Sequence, residues 1–291
     1  MKRILIFLLV GIFILSPAQA KKTSYEREFV YNVSIGAVIG AVGAIINKKK
    51  EQDFNKVFFK GLYQGALGGY ITFESKRLLD VAERNNDWKI IWGAKLVNAA
   101  GVSIKENAAL NKDFWEKWHF NIGFNRIEFE TKEKFKVHYK IMPIALAYTI
   151  AYANRSKFEL DKTLKIGEVI FSGYDKLFTD GEALGFAFSG GILLSEPYKN
   201  DFPLLIHEIV HVYQSNDFSQ TEAFLNKPLR YTERNNVLKS VNKFIHYDIG
   251  QVVFLAFYGL EYGGAKYYYD NIFEREAGFY SGTFDSRLLK R

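Results

Sequence analysis

Residues 29–46 read FVYNVSIGAVIGAVGAII, a run without a single charge in which Gly36, Ala37, Gly40, Ala41, Gly43 and Ala44 crowd together. How this run is buried decides the fold. After the polar stretch NKKKEQDFNK (47–56), a second apolar segment covers residues 57–73 and carries Gly61, Gly65 and Gly69 at intervals of four. Small residues at that spacing make a flat stripe on one helix face and let another backbone approach closely. The pattern predicts a helical hairpin packed through glycine. Two placements are open. The hairpin could cross a membrane, since 29–46 is long enough and its basic linker would then face the cytoplasm. It could instead lie inside a globular fold, which Lys60 and Gln64 in the second arm favour.

Working outward, residues 80–110 continue as an amphipathic helix with Trp88, Ile91, Trp92 and Leu96 as expected core. Residues 21–110 therefore read as one glycine-rich helical region. Residues 1–20 have the grammar of a signal peptide: Lys2 and Arg3, the apolar stretch ILIFLLVGIFIL, then SPAQA with its A-x-A cleavage pattern. Its apolar run is short for a membrane span. Export to the periplasm or cell envelope is the expectation, with membrane association through residues 29–73 left open. The formal net charge of +7 falls to +5 without Lys2 and Arg3. The remaining positive charge is scattered apart from Lys48, Lys49 and Lys50, so a nucleic-acid partner is not expected. Those three lysines read as a solvated turn, or as a contact with a membrane surface. The chain has no cysteine, which excludes disulfides and thiolate metal ligands.

From residue 114 to 195 the period changes to two. In FKVHYKI (135–141), Phe135, Val137, Tyr139 and Ile141 alternate with Lys136, His138 and Lys140, as expected of a half-buried strand whose apolar side faces the core. HFNIGFNRIEFE (119–130) alternates with a phase slip at Asn125 and Arg126 that suggests a bulge. KFEL, GEVIFSG and LGFAFSGGILLSE read as further strands, for an antiparallel sheet of about five or six strands. From Pro203 the pattern returns to helix. The expected class is α+β: an N-terminal helical hairpin, a central antiparallel sheet and a C-terminal helical zincin-like region, with residues 111–291 holding the last two.

The chemistry lies in PLLIHEIVHVYQ (203–214), where His207, Glu208 and His211 spell HExxH. Positions i and i+4 share one helix face, so both imidazoles can reach one Zn²⁺. Glu208 then faces the open coordination position as general base and later general acid. Asn200 and Asp201 can cap this helix, and Pro203 fits its first turn. Within 203–212 every residue other than the trio is apolar, so the helix is buried. Two imidazoles and a carboxylate there cost several kcal/mol unless something satisfies them. A metal is the simplest partner.

The stretch resembles the HExxH helix of gluzincin metallopeptidases, in which a downstream glutamate is the third ligand. It looks most like the prenyl-protease and heat-shock-protease group, whose second motif is ExxAD. FEREAG (273–278) matches it with Glu274 in the ligand position and Ala277 in the alanine position, while Gly278 stands where that group has aspartate. HEIVHVYQ is also similar to small bacterial peptidase-like domains reading HE-x-x-H-x-x-Q. The matches cover the last third of the chain; the hairpin and sheet match no family, and the chain as a whole is similar to envelope proteins of the Bacteroidetes type. The resemblance implies Zn²⁺ on His207, His211 and Glu274, two helices between the motifs, and a peptide or protein substrate. The segment LGFAFSGGILLSE would be the strand that such peptidases set beside the helix. Glu276 and Asp285 (in GTFD, like an aspzincin motif) compete as third ligand, and Glu233 lies at a thermolysin-like distance. Asp217 falls at the last metzincin position, but Gln214 replaces that class's glycine. His246 reads as a structural histidine or an oxyanion stabiliser, and Tyr280 likewise. His119 and His138 are expected to face solvent or a neighbour. The competing reading is a non-catalytic envelope structural or binding protein with a structural or vestigial zinc site.

Overall fold

A computed structural model describes residues 23–173, 184–188, 190–232 and 234–284. The signal-peptide expectation for 1–20, Glu233 and Asp285 lie outside the described residues. Three long helices come first: α1 (Tyr25–Ile46), α2 (Phe54–Asn85) and α3 (Trp88–Ala109). Each starts on a short polar cap that accepts a hydrogen bond from a free backbone N–H of the first turn: Ser24, Asp53 and Asp87. Asn86, in the left-handed conformation at φ 49°, ends α2.

The glycine stripe works through contact. A Cβ placed on Gly65 would lie 2.1 Å from the Gly36 carbonyl oxygen, and one on Gly61 would lie 2.7 Å from that of Gly40. Gly43 packs in the same way on Ala109, and Gly68 on Gly101, so α3 joins the pair as a third layer. Among the described residues only α1 is long and apolar enough to cross a membrane. It spends much of that surface on α2 and α3, and Ile35 and Ile39 also join a core with Phe218, Phe254 and Phe273. Of the four residues expected as α3 core, Ile91 is fully buried, Trp88 and Trp92 are partly covered, and Leu96 is exposed. Leu96 faces outward, whereas Lys95, one residue away, turns inward to Glu168.

Strands follow. The chain forms β1 (Lys117–Ile122), β2 (Asn125–Glu130), β3 (Lys136–Ile141), α4 (Pro143–Ala153), β4 (Lys157–Phe158), α5 (Leu160–Ile166), β5 (Val169–Gly173), β6 (Gly185–Phe188) and β7 (Gly191–Ser195). The class is α+β, as expected, but the strands make two sheets rather than one. Strands β1-β2-β3 are antiparallel, while β4-β5-β7-β6 is mixed, with β5 and β7 parallel. Two features divide them. PIALAYTIAYA starts with Pro143 at a helix N-terminus and has no alternation, so it coils as α4. KFEL contributes only Lys157 and Phe158 before α5 begins. The short apolar runs of β5 and β7 suit a pair covered on both faces. The phase slip at Asn125 is no bulge either. Gly123, at φ 53°, turns the chain between β1 and β2, and Ile122 pairs with Asn125.

The first sheet reverses the expected faces. Phe135, Val137 and Tyr139 are exposed, while Arg126, Glu128 and His119 are buried. Alternation survives with its sense inverted, because α3 presents a carboxylate to the sheet. Arg126 donates to both Glu106 oxygens at 3.2 and 2.6 Å and to Glu128 at 2.8 Å. His119 Nδ1 pairs with the Ser103 hydroxyl at 3.0 Å.

This interior makes stability acid-sensitive. Burial, then Arg126, holds His119 down to about 3, so it is neutral in the fold but protonates near its ordinary value once unfolded. Glu106 and Glu128, whose burial is outweighed by Arg126 and Lys117, are held well below the usual carboxylate range. All three bind fewer protons folded than unfolded. Their contribution is complete above about pH 6.5, declines first through His119 and then, below about pH 4.5, through the two carboxylates. The drop in urea midpoint on lowering the pH from 7 to 5 is expected to be smaller in His119→Gln than in wild type. An unchanged pH dependence in that variant would contradict the assignment.

The remaining helices are α6 (Phe202–Asn216), α7 (Asn226–Thr232), α8 (Asn236–Asn242), α9 (Ile249–Gly264) and α10 (Ile272–Tyr280). Helix α6 runs through the main core, with Leu205, Ile206, Ile209, Val210 and Tyr213 packed on Leu79, Ile91, Ile170, Ile192 and Tyr280.

Candidate metal centre

Helix α6 begins at Asp201, which accepts from the Leu204 N–H at 2.9 Å, with Pro203 in the first turn. That start places His207, Glu208 and His211 on its second and third turns, all buried. Helix α10 begins at Asn271, so Glu274 stands in its first turn and is buried as well. The interval between the two motifs holds α7, α8 and α9 with short 3₁₀ turns, where a pair of helices was expected.

Three ligand-type atoms converge. His207 Nε2 lies 3.1 Å from His211 Nε2 and 3.1 Å from Glu274 Oε2, and His211 Nε2 lies 3.4 Å from Glu274 Oε1. Tetrahedral zinc with bonds of about 2.0–2.1 Å sets its ligands about 3.3 Å apart. Two nitrogens and one carboxylate oxygen are also the donor set of a catalytic zinc site. The residues present fit the ion.

The tautomer of His211 follows from its neighbours. Gln214 Nε2 donates to the Phe273 carbonyl at 2.8 Å and to Glu276 Oε2 at 2.9 Å, which uses both amide protons. Its Oε1 must then accept from His211 Nδ1, 2.8 Å away. With Nδ1 protonated, the Nε2 lone pair points into the cluster. Gln214 thus gives His211 the hydrogen-bond support that a ligating histidine would need and that Gly278 cannot offer. On the other histidine, the Thr283 hydroxyl lies 3.4 Å from His207 Nδ1.

Behind Gln214 runs a buried relay. Lys76 Nζ, wholly buried on α2, donates to Asn32 Oδ1 at 2.9 Å, Asp217 Oδ2 at 2.7 Å and Glu276 Oε1 at 2.9 Å. All three ammonium protons are used. Asn32 Nδ2 returns a bond to Glu276 at 3.1 Å, and Lys105 pairs with Asp217 at 2.7 Å. So Glu276 lies behind the His207, His211 and Glu274 cluster, and Asp217 holds two lysines. The hairpin is part of the site: α1, α2 and α3 carry Asn32, Lys76 and Lys105 to the back of the HExxH helix.

Glu208 sits against strand β6. A Cβ on Gly185 would lie 2.4 Å from Glu208 Oε1, so the missing side chain leaves room for the carboxylate. Burial pushes the Glu208 carboxyl up to about 8, with Glu274 adding and His211 opposing. Gly185→Ala is expected to displace the Glu208 side chain by a fraction of an ångström and to cost about 1–3 kcal/mol through overpacking, read from urea denaturation. A variant as stable as wild type would show that Glu208 does not depend on this gap.

Two residues at the cluster carried no sequence signal. The Tyr258 hydroxyl donates to Glu274 Oε1, and the Tyr268 hydroxyl lies 3.4 Å from His207 Nε2. Both belong to a tyrosine-rich chain in which no spacing singles them out. The structure places His246 elsewhere, against Glu222 and near Glu128. His119 is buried on the inner face of the first sheet, His138 lies near Glu130, and Tyr280 is core. No known protein family, curated protein or solved structure matches this chain.

Proposed function

We propose that this chain is an exported zinc-dependent peptidase of gluzincin type. The convergence of His207 Nε2, His211 Nε2 and Glu274 at 3.1–3.4 Å, with the His211 tautomer set by Gln214, carries the reading. Zn²⁺ held by these three residues supplies Lewis acidity toward water and a carbonyl oxygen. Glu208 takes the proton of the attacking water on its carboxylate and later delivers it to the leaving amine nitrogen. The Tyr268 hydroxyl, on the His207 side of the cluster, is a donor for the developing oxyanion. Strand β6 is an edge strand among the described residues, so its outer backbone groups suit an extended peptide laid beside Glu208.

The test is metal content followed by turnover. Purified chain is expected to hold zinc at about one equivalent or more, and to lose proteolysis of an unfolded protein substrate on treatment with a chelator. Chain that refuses zinc sinks the proposal. The burial of all four residues favours a second reading, a structural zinc site in a non-catalytic envelope protein, because structural sites are closed. Bound zinc without any turnover would select that second reading.

A further inference from the structure

A second cluster of metal-ligating type lies beneath the first sheet. Glu106 comes from α3, Glu222 from the 3₁₀ segment Ser219–Leu225, and His246 from the segment leading into α9. One ligand atom from each lies within 4.8 Å of the others. Three elements distant in sequence therefore deliver two carboxylates and an imidazole to one point.

The charges around this point leave Glu222 without a fixed cation. Arg126 commits its guanidinium to Glu106 and Glu128, and Lys117 and Lys140 both turn to Glu128. Glu222 Oε2 is a buried oxygen that accepts no hydrogen bond, and it faces His246 Nε2 directly. A buried carboxylate needs a cation or a proton. An imidazole nitrogen and a carboxylate oxygen pointed at each other can share either one. Each Glu106 oxygen keeps a lone pair beyond the one that Arg126 uses. A cavity of about 210 Å³, lined by Glu106, Glu222, His246, Lys117, Lys140 and Tyr247, adjoins the cluster and leaves space for water ligands.

We infer that Glu106, Glu222 and His246 form a second divalent-cation site, separate from the His207, His211 and Glu274 centre. Two carboxylates and one imidazole without thiolate suit Zn²⁺ or Mn²⁺. The bound ion would tie α3, the 3₁₀ segment and the end of β3 together, since the His246 backbone N–H is bonded to the Ile141 carbonyl at 2.9 Å. Its role would be structural, and it does not depend on whether the first centre is catalytic.

The experiment uses the full chain, stripped with a chelator, reloaded with Zn²⁺ or separately with Mn²⁺, and desalted before elemental analysis. Wild type is expected to retain about two ions per chain with at least one of the two metals. The isosteric Glu222→Gln and the pair Glu222→Gln/His246→Gln should each retain about one, with the Co²⁺ absorption of the His207 centre unchanged. His207→Gln/His211→Gln should also retain about one, held at the second cluster. A wild-type count of one that survives Glu222→Gln but vanishes with His207→Gln/His211→Gln overturns this inference and leaves the peptidase proposal standing. A count of one showing the opposite pattern keeps this site and removes the other. If the double variant does not fold, Glu222→Gln alone decides: two ions retained by that variant overturn the site.

Discussion

Glu208→Gln is expected to leave the fold and the bound zinc intact while lowering peptide hydrolysis by about 10²–10⁴-fold, the usual contribution of a general base. The substitution is close to isosteric, so the packing on Gly185 is retained. It replaces a carboxylate that can carry a proton with an amide that cannot. Glu208 is no member of the ligand cluster, where His207, His211 and Glu274 converge without it. Zinc content and turnover should therefore separate cleanly in this variant. Burial already holds the Glu208 carboxyl up to about 8 and so largely neutral at pH 7, and exchange for a neutral amide is expected to leave thermal stability nearly unchanged. Undiminished turnover in Glu208→Gln, with zinc bound, would remove the proposed mechanism; parallel loss of zinc would instead make Glu208 a support of the metal.

The second large effect belongs to Lys76. Lys76→Met removes the one cation, among the described residues, that Asp217 and Glu276 share, at a fully buried position. Asp217 keeps Lys105, but among the described residues Glu276 is left with the amide donors of Asn32 and Gln214. Breaking a buried ion pair from one side costs about 3–5 kcal/mol. The damage should also reach the metal, because Glu276 orients Gln214 and Gln214 sets the His211 tautomer. Zinc affinity is expected to fall about 10–100-fold, as for other losses behind a ligand. Urea denaturation of the metal-free chain and competitive zinc titration measure the two effects separately. Lys76→Met/Glu276→Gln removes the stranded charge together with its partner and should recover part of the stability. If the double variant is no better than the single one, the relay is not what Lys76 supports.

Much of this architecture is legible in the chain. The glycine stripes at Gly61, Gly65 and Gly69 announce a close helix pair, because only absent side chains permit backbone contact. HExxH in an otherwise apolar helix announces a buried polar trio that needs a partner. Alternation in FKVHYKI announces a strand, since period two is a property of the pleat alone. Which side of that strand faces inward is another matter. Phe135, Val137 and Tyr139 lie outside because Glu106 on α3 draws Arg126 inward, and Arg126 in turn holds Glu128 on that same inner face.

The parts hidden from sequence share that character. Asn32 stands in an uncharged run and Lys76 in an amphipathic helix, and neither spacing links them to Gln214 or Glu276. Their meeting is a consequence of how α1, α2, α6 and α10 stack. By itself the sequence determined what is local: helix and strand periods, caps, the close-packing glycines and the i, i+4 placement of His207 and His211. Only the tertiary structure decided the α1–α2 hairpin's packing against α3, the meeting of Glu274 with both histidines, the support of His211 through Gln214 and Lys76, and the inward turn of the charged sheet face. Local geometry depends on neighbours a few residues away, whereas a buried charge is satisfied by whatever partner the folded chain brings within about 3 Å.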